Sequence, residues 1–344
     1  MKPGAAHPIR EARPADGPAL RALERLSPEI GRAAVRLDLR ANHCALAARY
    51  PDAKGYVALD AGAVIGVLFS SVAPTQLDGQ LLPAAYLFGL RVHPAHRRHG
   101  VASALIAHAC ERAAVEADAH TAWAGVIEGN EASLRTVDRA GFVPLRDLRA
   151  KILFAGLAAP RRLPRLAARP ATAADLPTLA AALNRQYAGH NFWRPQTPAQ
   201  LGAALQAMGH SLHDTGLALS PDGTVLAAAS AFELARLARL RLLRLRALPD
   251  RANRLLAPLF ALLPLNVLLL HHLVCSPDQP ALAASLVRAL HRRYLPRSWT
   301  ALAIADPLDP VWPGLDWLWG ITGRVHLVAK SDQPLDQARP ACHP

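Results

Sequence analysis

Lysine is nearly missing from this chain of 344 residues: Lys2, Lys54, Lys151 and Lys330 are the only four among 39 basic residues. Arginine, alanine and proline are abundant instead, a skew that GC-rich coding explains without any partner. The formal charge of +13 therefore does not by itself call for nucleic acid. No nucleic-acid partner is expected, although a basic surface favours acidic ligands. Cysteine is scarce too. Cys44, Cys110, Cys275 and Cys342 are scattered, with no C-x-x-C pair and no metal-ligand spacing. That excludes a disulfide-stapled fold, predicts no metal site, and fits reduced thiols in a cytoplasmic protein. Residues 1–13 show no apolar segment of the kind a secretory signal needs.

A long apolar run is also lacking. Residues 255–270 come nearest, but Pro258, Pro264 and Asn266 interrupt them, and the continuous part falls short of the roughly twenty residues that cross a bilayer. A helix turning at Pro264 into a buried strand over 266–274 is expected, not a membrane span. What the chain does have is apolar residues, 51% of the total, which is enough for real cores and excludes global disorder. The length exceeds one ordinary domain and suits two.

One opening occurs twice. Ile9-Arg10-Glu11-Ala12-Arg13-Pro14-Ala15-Asp16 leads into a helical pattern with Leu20, Leu23 and Leu26, and Ala168-Arg169-Pro170-Ala171-Thr172-Ala173-Ala174-Asp175 leads into another with Leu176, Leu179 and Leu183. In both, a short strand meets an aspartate suited to cap the following helix. The starts lie about 160 residues apart, a domain-sized period. Hairpins are expected to turn at Asp60-Ala61-Gly62-Ala63 and at Pro221-Asp222-Gly223. In the second half a strand over 267–274, a helix over 281–294, a strand over 299–305 and a last strand over 324–330 follow. The predicted organisation is a first domain over 1–155, a linker over 156–167, a second domain over 168–331 and a tail over 332–344.

Residues 86–142 carry the chemistry. A strand over 86–92 runs into the basic turn His93-Pro94-Ala95-His96-Arg97-Arg98-His99-Gly100-Val101-Ala102, and a helix follows. Backbone N–H groups and the positive end of a helix dipole can hold a pyrophosphate at such a junction. Gly100 lets the backbone come close, the small Ala102 does not block the site, and Arg97 and Arg98 add charge-assisted contacts. Further on stand Asn130-Glu131-Ala132-Ser133 and Gly141-Phe142.

Val92-His93-Pro94, Arg97-x-x-Gly100-x-Ala102, Asn130-x-x-Ser133 and Gly141-Phe142, in this order and spacing, resemble the acetyl-coenzyme A signature of the GNAT acetyltransferase superfamily. Residues 85–98 also resemble a motif of the plant hookless-type N-acetyltransferases, which look like an intact GNAT domain followed by a divergent one. The resemblance implies an α/β fold of two tandem GNAT-like domains, each a central mixed sheet flanked by helices. It implies acetyl-CoA as cosubstrate and an amine of a small molecule or protein as acceptor, attacked directly in a ternary complex. Backbone N–H groups of Leu90, Arg91 and Val92 would face the acetyl and pantetheine groups, with Val92 the oxyanion donor. The turn from Arg97 through Arg98, His99, Gly100 and Val101 to Ala102 would hold the pyrophosphate, and Asn130 and Ser133 the pantetheine arm. Asn130 is also a natural helix cap.

The family pattern is incomplete. Where many members carry a tyrosine that protonates the leaving thiolate, this chain has Val137, so either acid catalysis is dispensable, a thiolate being a tolerable leaving group, or Ser133 or a water substitutes. Glu128 and His93 are the candidate bases, His93 through its near-neutral titration. The second half reads Cys275-Ser276-Pro277-Asp278-Gln279-Pro280 where the basic glycine turn would stand, so it is expected to be a degenerate repeat. A non-catalytic acetyl-CoA-binding or sensing module is the alternative function. The leucine-and-arginine run over 234–254 suits a bulged strand with a solvated face. Residues 38–50 and 75–83 are the expected acceptor walls.

Overall fold

A computed structural model describes residues 7–30, 33–39, 47, 50, 52–154, 163–164, 167–207, 209, 211–262, 265–295 and 297–342. The first half runs β1 (Ile9–Glu11), α1 (Gly17–Leu26), β2 (Glu29–Ile30), β3 (Ala33–Leu39), β4 (Ala53–Asp60), β5 (Ala63–Leu77), β6 (Gln80–Val92), α2 (Val101–Ala117), β7 (Thr121–Ile127), α3 (Glu131–Arg139) and β8 (Val143–Phe154). The second opens with β9 (Arg169–Pro170), α4 (Leu176–Gln186), α5 (Pro198–Ala207), β10 (Thr215–Leu219), β11 (Val225–Glu233) and β12 (Ala238–Leu245). It closes with α6 (Asp250–Leu262), β13 (Val267–Cys275), α7 (Pro280–Tyr294), β14 (Thr300–Ala305), α8 (Trp312–Asp316) and β15 (Gly320–Ser331). Both expected hairpins form, as β4–β5 and β10–β11.

The halves do not keep separate sheets. Twelve strands form one sheet in the order β1-β4-β5-β6-β7-β15-β8-β14-β13-β11-β10-β9. The last strand of the second half, β15, lies between β7 and β8 of the first, with Leu327 opposite Gly125 on one side and Arg146 on the other. In return β8 pairs with β14, Ala303 facing Lys151. A period-2 pattern specifies which face of a strand is buried, not which strand lies beside it, so the exchange leaves no local mark.

The leucine-and-arginine run is a bulged strand, as expected, with the irregularity between Leu242 and Arg244. Its partner is β3 of the first half, in a second sheet ordered β12-β3-β2. Arg241 Nε lies 2.6 Å from Asp38 Oδ2, and an Arg244 Nη lies 2.6 Å from Asp250. Residues 263–264, the expected turn at Pro264, lie outside the described residues, but α6 ends before them and β13 begins after them. Among the described residues no helix is long and apolar enough to cross a membrane.

The repeated opening is reproduced in atomic detail, with one correction. Asp16 and Asp175 do not cap the helices that follow them. Each carboxylate turns back to accept the N–H of Arg13 or Thr172, at 2.7 and 2.8 Å, and takes a two-armed bond from Arg10 or Arg169. The reason is steric and electrostatic together: an arginine six residues upstream offers a guanidinium fork, which outcompetes a neutral helix N–H.

Most of the expected linker lies outside the described residues, but Leu163 packs on the second-half core and the Pro164 carbonyl accepts the Ser285 hydroxyl at 2.9 Å. Residues 332–342 fold back across the seam, where Ala341 N–H meets Asp306 at 2.9 Å.

Candidate active site

The site begins as a defect in a strand. Along β5 and β6, Val67 faces Arg91 and Phe69 faces Phe88, so Leu68 stands opposite both Gly89 and Leu90. Gly89 accommodates this bulge with a φ of +65°, a conformation glycine adopts without a Cβ penalty. The parallel ladder between β6 and β7 stops at Tyr86 and Trp123, while on its other edge β7 stays paired with β15 along its whole length. Strands β6 and β7 therefore part, and residues 88–92 form one wall of a wedge.

The His93 N–H donates to Ile65 O at 2.8 Å, which makes Val92 and Gly66 a non-hydrogen-bonded pair. The amide and carbonyl of Val92 consequently face away from β5. Its carbonyl accepts the Ser27 hydroxyl at 3.0 Å and Arg97 Nε at 3.2 Å. The Arg91 side chain is gripped by Glu24 at 2.9 and 3.2 Å. Glu24 is only 3% exposed, an acid on the core face of α1 beside Leu20 and Leu23. That break in an apolar stripe is the signal from which this partner could have been read.

Past Val92 the chain makes a short turn. His93 accepts the Ala95 N–H on Nδ1 at 3.3 Å, so the ring caps the turn. Arg97, Arg98, His99 and Gly100 are exposed, Val101 is buried and Ala102 is half-buried. Arg98 and Gly100 have φ of +66° and +82°. A Cβ built on Gly100 would meet nothing within 4 Å, and α2 starts there with no side-chain cap. The first N–H groups of a helix lack intrahelical partners. An uncapped N-terminus with open space before it and two arginines alongside fits a pyrophosphate. Gly66 brings α2 close: a Cβ there would stand 2.9 Å from Val101 Cγ1.

On the other wall, Asn130 caps α3, its Oδ1 accepting the Ser133 N–H at 3.2 Å. Ser133 is half-buried on the first turn. Val137 is buried in the core beneath α2 with Phe142 and Val126. Glu128 is turned toward the second half, accepting the Arg324 N–H at 3.1 Å and a guanidinium nitrogen at 3.4 Å. The structure thus brings Leu90, Arg91, Val92 and the turn together along one wall, sets Asn130 and Ser133 on the other, and commits Glu128 to β15.

The second half contains the same wedge, closed from within. Val274 faces Ala228 and His271 faces Ser230, so Ala229 stands opposite His272 and Leu273. His272, at φ +52°, takes the place of Gly89, and the ladder with β14 ends at Leu270 and Ala303. Cys275, opposite Ala227, stands where Val92 stands opposite Gly66. Its N–H donates to Gln186 Oε1 at 2.9 Å, and Gln186 Nε2 donates to Leu273 O at 2.9 Å. Tyr187 adds a hydroxyl to the same carbonyl at 2.7 Å. Gln186 occupies the place in the repeat that Ser27 holds in the first half, and its longer amide plugs the donor that the shorter serine leaves alone.

The strand bulge and splayed parallel pair are thus present twice, and only the first copy leads into a glycine-opened helix. Residues 19–142 match the model of the Acetyltransferase (GNAT) family. Of solved structures, a GCN5-related N-acetyltransferase from Sphaerobacter thermophilus aligns at 14% identity over 95% of this chain and 96% of that one, with a TM-score of 0.58. A tandem GNAT protein from the clavulanic acid biosynthesis pathway aligns at 14% over 96% and 100%, TM-score 0.58. Saccharomyces cerevisiae N-myristoyltransferase with bound myristoyl-CoA aligns at 11% over 98% and 84%, TM-score 0.64. At these identities the likeness is one of fold, and it establishes two tandem GNAT-like units. The hookless-type resemblance rests on sequence alone. A comparison with curated proteins finds no match. Among the described residues no group of three His, Cys, Asp or Glu is arranged to hold a metal.

Proposed function

We propose that the first half transfers an acetyl group from acetyl-CoA to an amine on a small molecule or protein. The observation that carries this is the wedge between β6 and β7 opening onto the uncapped N-terminus of α2 at Gly100. The amine nitrogen attacks the thioester carbonyl carbon, and the oxyanion that forms is met by the Val92 N–H on the side facing away from β5. The C–S bond then breaks, the amine proton leaves to a base, and the thiolate takes up a proton. His93 Nε2 is the ring nitrogen not used by the turn, whereas the Glu128 carboxylate is held by Arg324. With Val137 in the core, Ser133 or water supplies the proton to the thiolate. The second half binds no acetyl-CoA in this reading, since Gln186 occupies its donor and Asp278 stands in its turn.

A pure acetyl-CoA-binding module is the second reading, favoured by the burial of Val137 where an acid would stand. Thiol release from acetyl-CoA across a panel of amines separates the two. For the site itself, Gly100→Glu puts a carboxylate into the open space before α2 and should abolish acetyl-CoA binding in a folded protein. Undiminished affinity by calorimetry would refute the assignment.

A further inference from the structure

The second half lends the first a cation. Residues 189–194, which follow α4, are laid against the end of β5: Gly189 N–H meets Gln76 Oε1 at 2.9 Å, Phe192 N–H meets Gln76 O at 2.8 Å and Gln76 N–H meets Trp193 O at 2.8 Å. Asn191 locks the arrangement through Asp78 N–H at 2.7 Å and Asp78 Oδ1 at 3.0 Å. Arg194 is thereby aimed along β5, where its Nη groups donate to Ser71 Oγ at 2.9 Å and Ser71 O at 2.8 Å. Ser71 is paired with Tyr86, the residue at which β6 and β7 begin to part. The guanidinium is therefore anchored on β5, one strand from the point where β6 and β7 part.

It sits on the face away from α2. Tyr86, Phe88, Tyr50 and Trp123 form an aromatic wall there, with centroids of Tyr86 and Trp123 4.5 Å apart and of Tyr50 and Phe88 4.4 Å apart. Among the described residues two donors on this wall find no acceptor: Arg194 Nε and Trp123 Nε1 are both buried without a hydrogen-bond partner. Among the described residues no carboxylate comes within ion-pair distance of Arg194, although burial pushes its pKa down to about 10. A buried donor left unpaired is destabilising, the more so when charged, so this wall is built short of oxygen atoms. Arg194 keeps part of its surface open to solvent, so a ligand can reach it. A guanidinium with both ends of one edge already fixed on Ser71 is held rigidly, as planar recognition of a carboxylate requires.

We propose that Arg194 binds a carboxylate of the acceptor, so that the amine acetylated belongs to an amino acid, a peptide or a similar amino carboxylate. This rests on the transfer reaction proposed above. The half-buried rings of Tyr50 and Phe88 pack against the acceptor's carbon skeleton, the guanidinium fixes its anionic end beside Ser71, and the amine is left toward the β6 wall.

The test uses the full chain with acetyl-CoA and pairs of acceptors: amino acids and short peptides as free carboxylates, as their amides, and as aminophosphonates. Thiol release gives kcat/KM for each. Wild type should favour carboxylate over amide by about 10–100-fold, the worth of one charge-assisted bond, and over phosphonate as well. Arg194→Gln should bring the carboxylate-to-amide ratio close to one through KM, and Arg194→Lys should restore it in part. Acetyl-CoA affinity and melting temperature, measured on each variant, show that the fold and the cosubstrate site remain. A wild type that prefers no carboxylate over its amide, whether both react or neither does, overturns the assignment, as does a preference for phosphonate. Failure of wild type to bind acetyl-CoA would instead overturn the proposed function.

Discussion

Replacing Leu327 by alanine tests whether the second half completes the first. Leu327 is fully buried in the cluster that holds Trp123, Leu148 and Phe192, at the middle of the strand that separates β7 from β8. Truncating a buried leucine costs about 2–5 kcal/mol, and the upper part of that range applies where the surroundings cannot collapse. Here the rings of Trp123 and Phe192 are stacked with centroids 4.3 Å apart, and strands on both sides fix the backbone, so the expected loss is about 3–5 kcal/mol. Ile321→Ala on the same strand, at a side chain 53% exposed, should cost under about 0.5 kcal/mol. Urea unfolding followed by circular dichroism and tryptophan fluorescence measures both. Acetyl-CoA affinity should fall with Leu327→Ala, because β15 is the strand that fixes β7 where β6 has parted from it. A variant within about 1 kcal/mol of wild type, or a chain cut after residue 319 that binds acetyl-CoA like the whole, would refute the reasoning.

Three other outcomes are expected. Calorimetry should give one acetyl-CoA per chain, and Gln186→Ala should leave that number at one, since unplugging Cys275 N–H does not create a basic turn; two sites in wild type would contradict this. Hydrogen bonds from Arg10 hold the Asp16 carboxyl down to about 2, so its stabilising effect is complete above the unfolded value near 4 and is lost as pH falls toward 2. Arg10→Met should flatten that acid slope in the urea midpoint between pH 5 and 2, and an unchanged slope would sink the linkage. Ser133→Ala should lower kcat by less than about a hundredfold, while Val137→Tyr should overpack the core under α2 at a cost of about 1–3 kcal/mol, visible as a lower melting temperature; a tyrosine tolerated without loss would show that residue 137 faces the wedge.

What the sequence made legible was local. The bulge-bearing strand, the basic turn and α2 were readable because arginines, a glycine and a strand-to-helix change stand within residues 86–102. The bulged β12 and both hairpins were readable from alternation and turn residues. Pairing across the halves was not. Nothing in residues 320–331 says that they lie between β7 and β8, and β3 gives no sign of its partner β12. Residues 75–83, expected as a loop wall, are the ends of β5 and β6 around Asp78 and Gly79, held by Asn191 more than a hundred residues away. The plug was hidden for a similar reason. Gln186 is an ordinary helix-end residue until β13 is laid beside it. Arg194 carries no motif, and its place one strand from the wedge depends on a backbone pairing with β5.

The exchange of β8 and β15 also sets a clock on the nascent chain. When β7 leaves the ribosome it has β6 beside only its first residues on one edge, and the whole of its other edge must wait for β15. About 200 further residues are synthesised in the meantime, which at roughly 5–20 residues per second takes on the order of 10–40 s. For that interval the first half carries an open strand edge and an uncovered Trp123, a template for pairing with another chain. Late closure of this kind ties completion of the wedge between β6 and β7 to the very end of translation.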